Sequence, residues 1–155
     1  MGWVTLAARK QSLRLAMSNL QMRDLELSRQ LRSMHRSSSY EQSMIKNNRA
    51  ADLKQIKDAY DEVRNARPES MDDPGYNDWY LEYQAAREDY EHQKMILSEE
   101  YDDKLKMLEE EVADKEADIQ QEQTTVEAQL EAMKAEFDVV SEQISKEIED
   151  SAIKI

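Results

Sequence analysis

Hydrophobic positions along the chain recur at helical spacing, with no stretch of strict alternation. Leu6, Leu13, Leu20, Leu27 and Met34 form a row seven residues apart, with Met17 and Leu31 four residues after two of its members. Such a row lies on one face of a helix, and sustained heptads favour packing of helix against helix. Lys10 and Asp24 interrupt the companion row, so the seam is imperfect. The pattern resumes at Met44 or Ile45 and continues through Leu53, Ile56, Tyr60 and Val63. Between the two stretches lies Ser37-Ser38-Ser39, where serine competes with the helix for backbone hydrogen bonds and suits an N-cap. Ser39 with Gln42 matches a capping box, so a break is favoured slightly over a continuous helix.

The strongest punctuation is Arg67-Pro68-Glu69-Ser70-Met71-Asp72-Asp73-Pro74-Gly75. Each proline biases the residue before it away from helix, and Gly75 permits a positive φ. Asn77 or Asp78 would cap the helix that follows. No Pro or Gly occurs after that point. Tyr83, Ala86, Tyr90, Leu97, Tyr101, Leu105, Leu108 and Val112 form one stripe, and Val126, Leu130, Met133, Phe137, Val140 and Ile144 form a regular second one. The stripe lapses after Ile119, across Gln120–Thr125, which either shifts the phase of a continuous helix or marks a hinge. The expected architecture is all-α: an elongated helical hairpin or coiled coil, its first arm broken near Ser37–Ser39. Residues 1–67 form a basic arm, 68–77 a Pro/Gly loop and 78–155 a long acidic helix, together one structural unit.

Composition narrows the function. Of 155 residues 35% are charged, with two Gly, two Pro and no Cys. That leaves little material for the packed shell around a catalytic pocket, so an enzyme is disfavoured. Without cysteine there are no disulfides or thiolate metal sites. No run approaches the roughly 18 apolar residues needed to cross a bilayer. The opening residues lack the apolar stretch of a secretory leader, and Leu6 stands where a myristoylation motif needs Ser or Thr. The net charge of −13 is sorted: +6 over residues 1–67 and −19 over residues 68–155. The basic arm has three candidate partners, namely the acidic arm, phosphates or an anionic membrane. Pairing of the arms, within a chain or between copies, is the favoured reading; nucleic acid and membrane are disfavoured.

Among candidate chemical groups, the acidic runs Glu99–Asp103 and Glu109–Glu111 splay around a helix instead of converging as calcium ligands must. His35 and His92 have no ligating neighbours. No metal, cofactor or small-molecule substrate is expected. Helix pairing falls to Leu6, Leu13, Leu20, Leu27, Met34, Leu53, Ile56, Val126, Leu130, Met133, Phe137, Val140 and Ile144. The aromatic cluster Tyr76, Trp79, Tyr80 and Tyr83, with Tyr90 beyond it, has two open readings. It closes the end of the hairpin, or it is a docking patch for another protein, since Tyr and Trp are favoured interface anchors. A two-helix hairpin buries one face of each helix only, so association with further copies or with a larger body is expected.

The stretches Thr5–Lys10 and Asp24–Arg29 and the tail Gln121–Ile155 resemble small helical virion proteins of tailed bacteriophages, in particular crAss-like phages. That resemblance implies a capsid-associated or head-fibre component in a virion assembled in the bacterial cytoplasm, binding itself and other structural proteins. The hairpin, aromatic-rich over Trp79–Tyr90, is also similar to the stalk proteins of type III and flagellar export ATPases. That likeness implies an adaptor or chaperone of an export apparatus in the bacterial cytoplasm.

Overall fold

A computed structural model describes residues 2–153. It is an all-α helical hairpin of two helices, α1 (Trp3–Asn65) and α2 (Tyr76–Ile153). Of the expected acidic helix over 78–155, Lys154 and Ile155 lie outside the described residues. Compact packing divides the chain into two units, one of Met1–His35 with Ala113–Ile155 and the other of Arg36–Val112.

The expected break at Ser37–Ser39 does not occur, because α1 runs through it. Three serines cost an interior helix on the order of 1.5 kcal/mol relative to alanine. A break would free four N–H and four C=O groups and require a second costly nucleation. Continuity is cheaper, and Ser38 takes a half-buried seam position while Ser37 and Ser39 face solvent. The lapse at Gln120–Thr125 is likewise continuous helix. Thr124 Oγ1 donates to the Gln120 carbonyl at 2.9 Å and Thr125 Oγ1 to that of Gln121 at 3.1 Å, so both hydroxyls are satisfied one turn back.

In the unit of Met1–His35 with Ala113–Ile155, a run of half-buried and buried positions of α1 steps by three and four from Leu6 to Met34, with Ala7, Ala16, Arg23 and Ser28 half-buried beside it. A run on α2 does the same from Glu116 to Glu147. Leu6, Leu13 and Val140 form the buried core, with Met133, Phe137 and Ile144 packed against it. Leu27 and Val126 are buried further along. Ion pairs flank the seam: Arg9 binds Glu136 through Nε at 2.9 Å and Nη2 at 2.6 Å. Arg23 binds Glu122 through Nε at 2.8 Å. Rising numbers on α1 meet falling numbers on α2, so the segments are antiparallel. Lys10, which interrupts the apolar row, lies 5.2 Å from the Phe137 ring centre, and Arg14 lies 5.8 Å from it. A cation over the ring face thus keeps an apolar contact at a polar seam position.

Asp24 fits the seam poorly. Its Oδ1 is buried without a hydrogen-bond partner, and an unsatisfied buried polar atom costs roughly 1–3 kcal/mol. Asp24→Leu is therefore expected to stabilise the chain by about 1–2 kcal/mol, read as a higher urea midpoint. An unchanged or lower midpoint contradicts that accounting. A polar group at one seam position can instead fix register, at a cost in stability.

The unit of Arg36–Val112 is built differently. The heptad step gives way to runs of four, as at Asp52, Ile56 and Tyr60, and at Leu97, Tyr101 and Leu105. Such stutters locally unwind a left-handed supercoil. Tyr101 and Leu108 are its buried apolar side chains.

Residues 66–75 connect the helices. The Ser70 carbonyl accepts from Asp73 N at 3.2 Å, the Asp73 carbonyl accepts from Tyr76 N at 3.0 Å, and Asp73 Oδ1 accepts from Gly75 N at 2.9 Å. This aspartate turn starts α2 at Tyr76 rather than at 78, with Gly75 as the capping residue in place of Asn77 or Asp78. Gly75 does not take a positive φ.

Candidate interaction site

Of the residues expected to pair the helices, Leu6, Leu13, Leu27, Val126 and Val140 are buried. Leu20, Met34, Leu53, Ile56, Leu130, Met133, Phe137 and Ile144 are half-buried. The structure puts Leu53 and Ile56 in the Arg36–Val112 unit and the rest in the other. Polar groups that the apolar stripes did not reveal share the seam. Gln123 Nε2 donates to Ser28 Oγ at 3.1 Å, and Arg49 Nη1 lies 3.3 Å from Asp102 Oδ1. Tyr101 Oη donates to Asp52 Oδ2. At 3-4 spacing Gln123 falls midway between Ile119 and Val126, the one cue in the sequence that the seam continues through it.

The aromatic cluster closes the loop end of the Arg36–Val112 unit. Trp79 Nε1 donates to the Val63 carbonyl at 2.8 Å, at the C-terminus of α1 where carbonyls lack intrahelical partners. That carbonyl also accepts from Ala66 N at 3.3 Å. The Trp79 ring stacks on Tyr83 with centres 5.2 Å apart and meets Tyr76 at 5.5 Å. Tyr60 stacks on Tyr90 at 4.9 Å, and its hydroxyl donates to that of Tyr83 at 3.1 Å. Tyr76, Trp79 and Tyr83 are half-buried, whereas Tyr80 is 45% exposed and the neighbouring Leu81 65%. One turn cannot aim Trp79 and Tyr80 the same way, and α1 receives Trp79. A shallow groove of about 210 Å³ beside Tyr60 and Tyr90 is lined by Ile56, Ala59, Val63 and Ala86.

Two hydroxyls hold their protons unusually firmly. The Tyr101 hydroxyl is raised above its ordinary value of 10.0, chiefly by its hydrogen bond to the Asp52 carboxylate, with burial adding to it. Tyr60 is raised above the same value by its bond to Tyr83 and by burial. A folded-state value above the unfolded one means the unfolded chain loses its proton first. That stabilisation is complete below about pH 10 and is lost as pH rises through the raised folded value. Urea midpoints are expected to fall above about pH 10, and Tyr101→Phe, which has no proton to lose there, to fall less steeply. Identical slopes in the two chains would remove Tyr101 from the account.

Among the described residues no group of three or more His, Asp or Glu is placed to hold a metal ion. No described helix is long and apolar enough to cross a membrane. Family models, curated proteins and solved structures give no match to this chain. Both helices also present surface that faces away from the seam. Seen along the helices, that surface includes large apolar side chains outside the seam: Val4, Leu15, Met22 and Leu25 on α1 are each at least 60% exposed. The heptad reading starting from Leu6 passed over them. A second frame starting from Val4 would have found them in the sequence.

Proposed function

We propose that this chain is a non-catalytic structural coiled-coil subunit of a large oligomeric assembly. The observation that carries the reading is the use of both helix faces. Leu6, Leu13 and Leu27 are buried against α2, while Leu15, Met22 and Leu25 of the same segment stay exposed. A helix apolar on two faces has spent one on its own chain and keeps the other for a further helix. Helices of 63 and 78 residues joined by a short turn suit a spacer or fibre element. The setting the sequence resemblance implies is a bacteriophage virion, as a capsid-associated or head-fibre component. The partners are further copies of the chain and other structural proteins.

The test is fractionation of the particles with which the chain travels. Tagged chain that sediments with intact capsids, and that labels them in electron micrographs, supports the virion reading. Chain found instead with a membrane-bound ATPase overturns it in favour of an export-apparatus stalk or adaptor. Chain found with neither overturns the virion reading as well.

A further inference from the structure

We propose that the outer face of α1 between Val4 and Arg32 docks on the acidic outer face of α2 of a second copy, head to tail. The inference rests on the structural-subunit reading and names its interface. All residues involved belong to the unit of Met1–His35 with Ala113–Ile155.

The α1 face is a second heptad row. Val4, Leu15, Met22 and Leu25 are 65%, 62%, 66% and 60% exposed. Ala8, Gln11 and Ser18, all exposed, fill the intervening places, so the steps from Val4 to Leu25 run 4-3-4-3-4-3. Single exposed leucines require no explanation, but four large apolar side chains sharing one outer stripe, interrupted by Gln11 and Ser18, suit contact with a further helix. Arg29 and Arg32 continue the row in the same spacing, are exposed, and have no ion pair among the described residues.

Charge selects the occupant. The acidic residues of this α1 segment are Asp24, which lies in the seam, and Glu26, already 3.4 Å from Arg23. Two α1 faces in parallel would set Arg29 and Arg32 against themselves; antiparallel, they would set them against Val4 and Ala8, where no carboxylate stands. α2 offers what is missing. Glu127, Glu131, Asp138 and Glu142 are exposed there. They have no ion pair among the described residues. They flank Val139, which is 52% exposed, and the small side chains of Ala132 and Ala135, which leave room for Leu and Met from the facing helix. The two faces are different surfaces of one chain, so their contact is heterologous and generates a ring or an open filament.

The experiment is mass by sedimentation equilibrium on the full chain, with helicity by circular dichroism. The wild type is expected to exceed the 18.2 kDa of one chain. Leu15→Glu, Met22→Glu and Leu25→Glu together are expected to reduce it to one chain with unchanged helicity, these positions being solvent-facing. Arg29→Glu with Arg32→Glu should weaken association at least tenfold, and adding Asp138→Arg with Glu142→Arg, a pair one helical turn apart like the two arginines, to that chain should restore it. A monomeric wild type, or a triple variant that keeps the wild-type mass, overturns the inference. Capsid co-sedimentation of the wild type is scored separately, so a chain that reaches the particle but fails here loses this interface and not its structural role.

Discussion

Leu27→Ala is expected to lower the unfolding free energy by about 2–4 kcal/mol, the range for removing a large buried aliphatic side chain. Leu27 has 0% exposure, the most complete burial of any apolar side chain among the described residues. The seam around it is one side chain thick, with Asp24 three residues before it and Leu31 four after. Nothing behind it can collapse into the vacated space except the facing helix. Leu25→Ala, two residues away, is the contrast. At 60% exposure it should change the stability of the isolated chain by less than about 0.5 kcal/mol. Urea unfolding followed by circular dichroism measures both. Equal losses would mean that the seam is not where the structure puts it. If Leu25→Ala instead produces a loss that grows with protein concentration, the cause is association through the outer face of α1, since stability linked to binding depends on concentration.

Trp79→Ala should cost about 2–3 kcal/mol, below the full range for a core tryptophan because the ring is only half-buried. Three contacts go with it: the stack on Tyr83, the contact with Tyr76, and the hydrogen bond to the Val63 carbonyl. Trp79→Phe separates the contributions. It keeps a stacking ring but has no N–H to donate, and should cost about 1 kcal/mol. Both losses read as unfolding in urea identify Trp79 as the side chain that closes the hairpin. Unchanged stability with loss of a bound partner would instead make the aromatic cluster a docking patch. In the structure Met71, Tyr80 and Leu81 are the exposed large apolar side chains at that end, so a docking role there falls first on them.

The two variants touch the parts of the chain that were most and least legible beforehand. The Leu6-to-Met34 row and the Val126-to-Ile144 row were readable as helix faces because heptad periodicity is a local property of the chain. The Pro68–Gly75 turn was readable for the same reason, since ring closure in proline acts on its immediate neighbours. Local propensity misled at Ser37–Ser39. There the cost of a few weak helix formers is set against the larger cost of ending and restarting a helix, and only a packed partner helix makes the comparison real. Gln120–Thr125 was ambiguous on similar grounds, because nothing in those six residues announces that Gln123 will find Ser28.

The sequence by itself determined that the chain is helical, where it turns, and that its charge is divided between a basic and an acidic arm. Those follow from spacing, ring chemistry and composition, which act within a few residues or over the whole count. Periodicity favours the row of Leu6, Leu13, Leu20, Leu27 and Met34 over that of Val4, Leu15, Met22 and Leu25, which Gln11 and Ser18 interrupt. Tertiary structure decided what the first row packs against and how far the second is left exposed. Burial against α2, with Arg9 on Glu136 and Arg23 on Glu122 beside the seam, selects the first row and leaves the second facing outward.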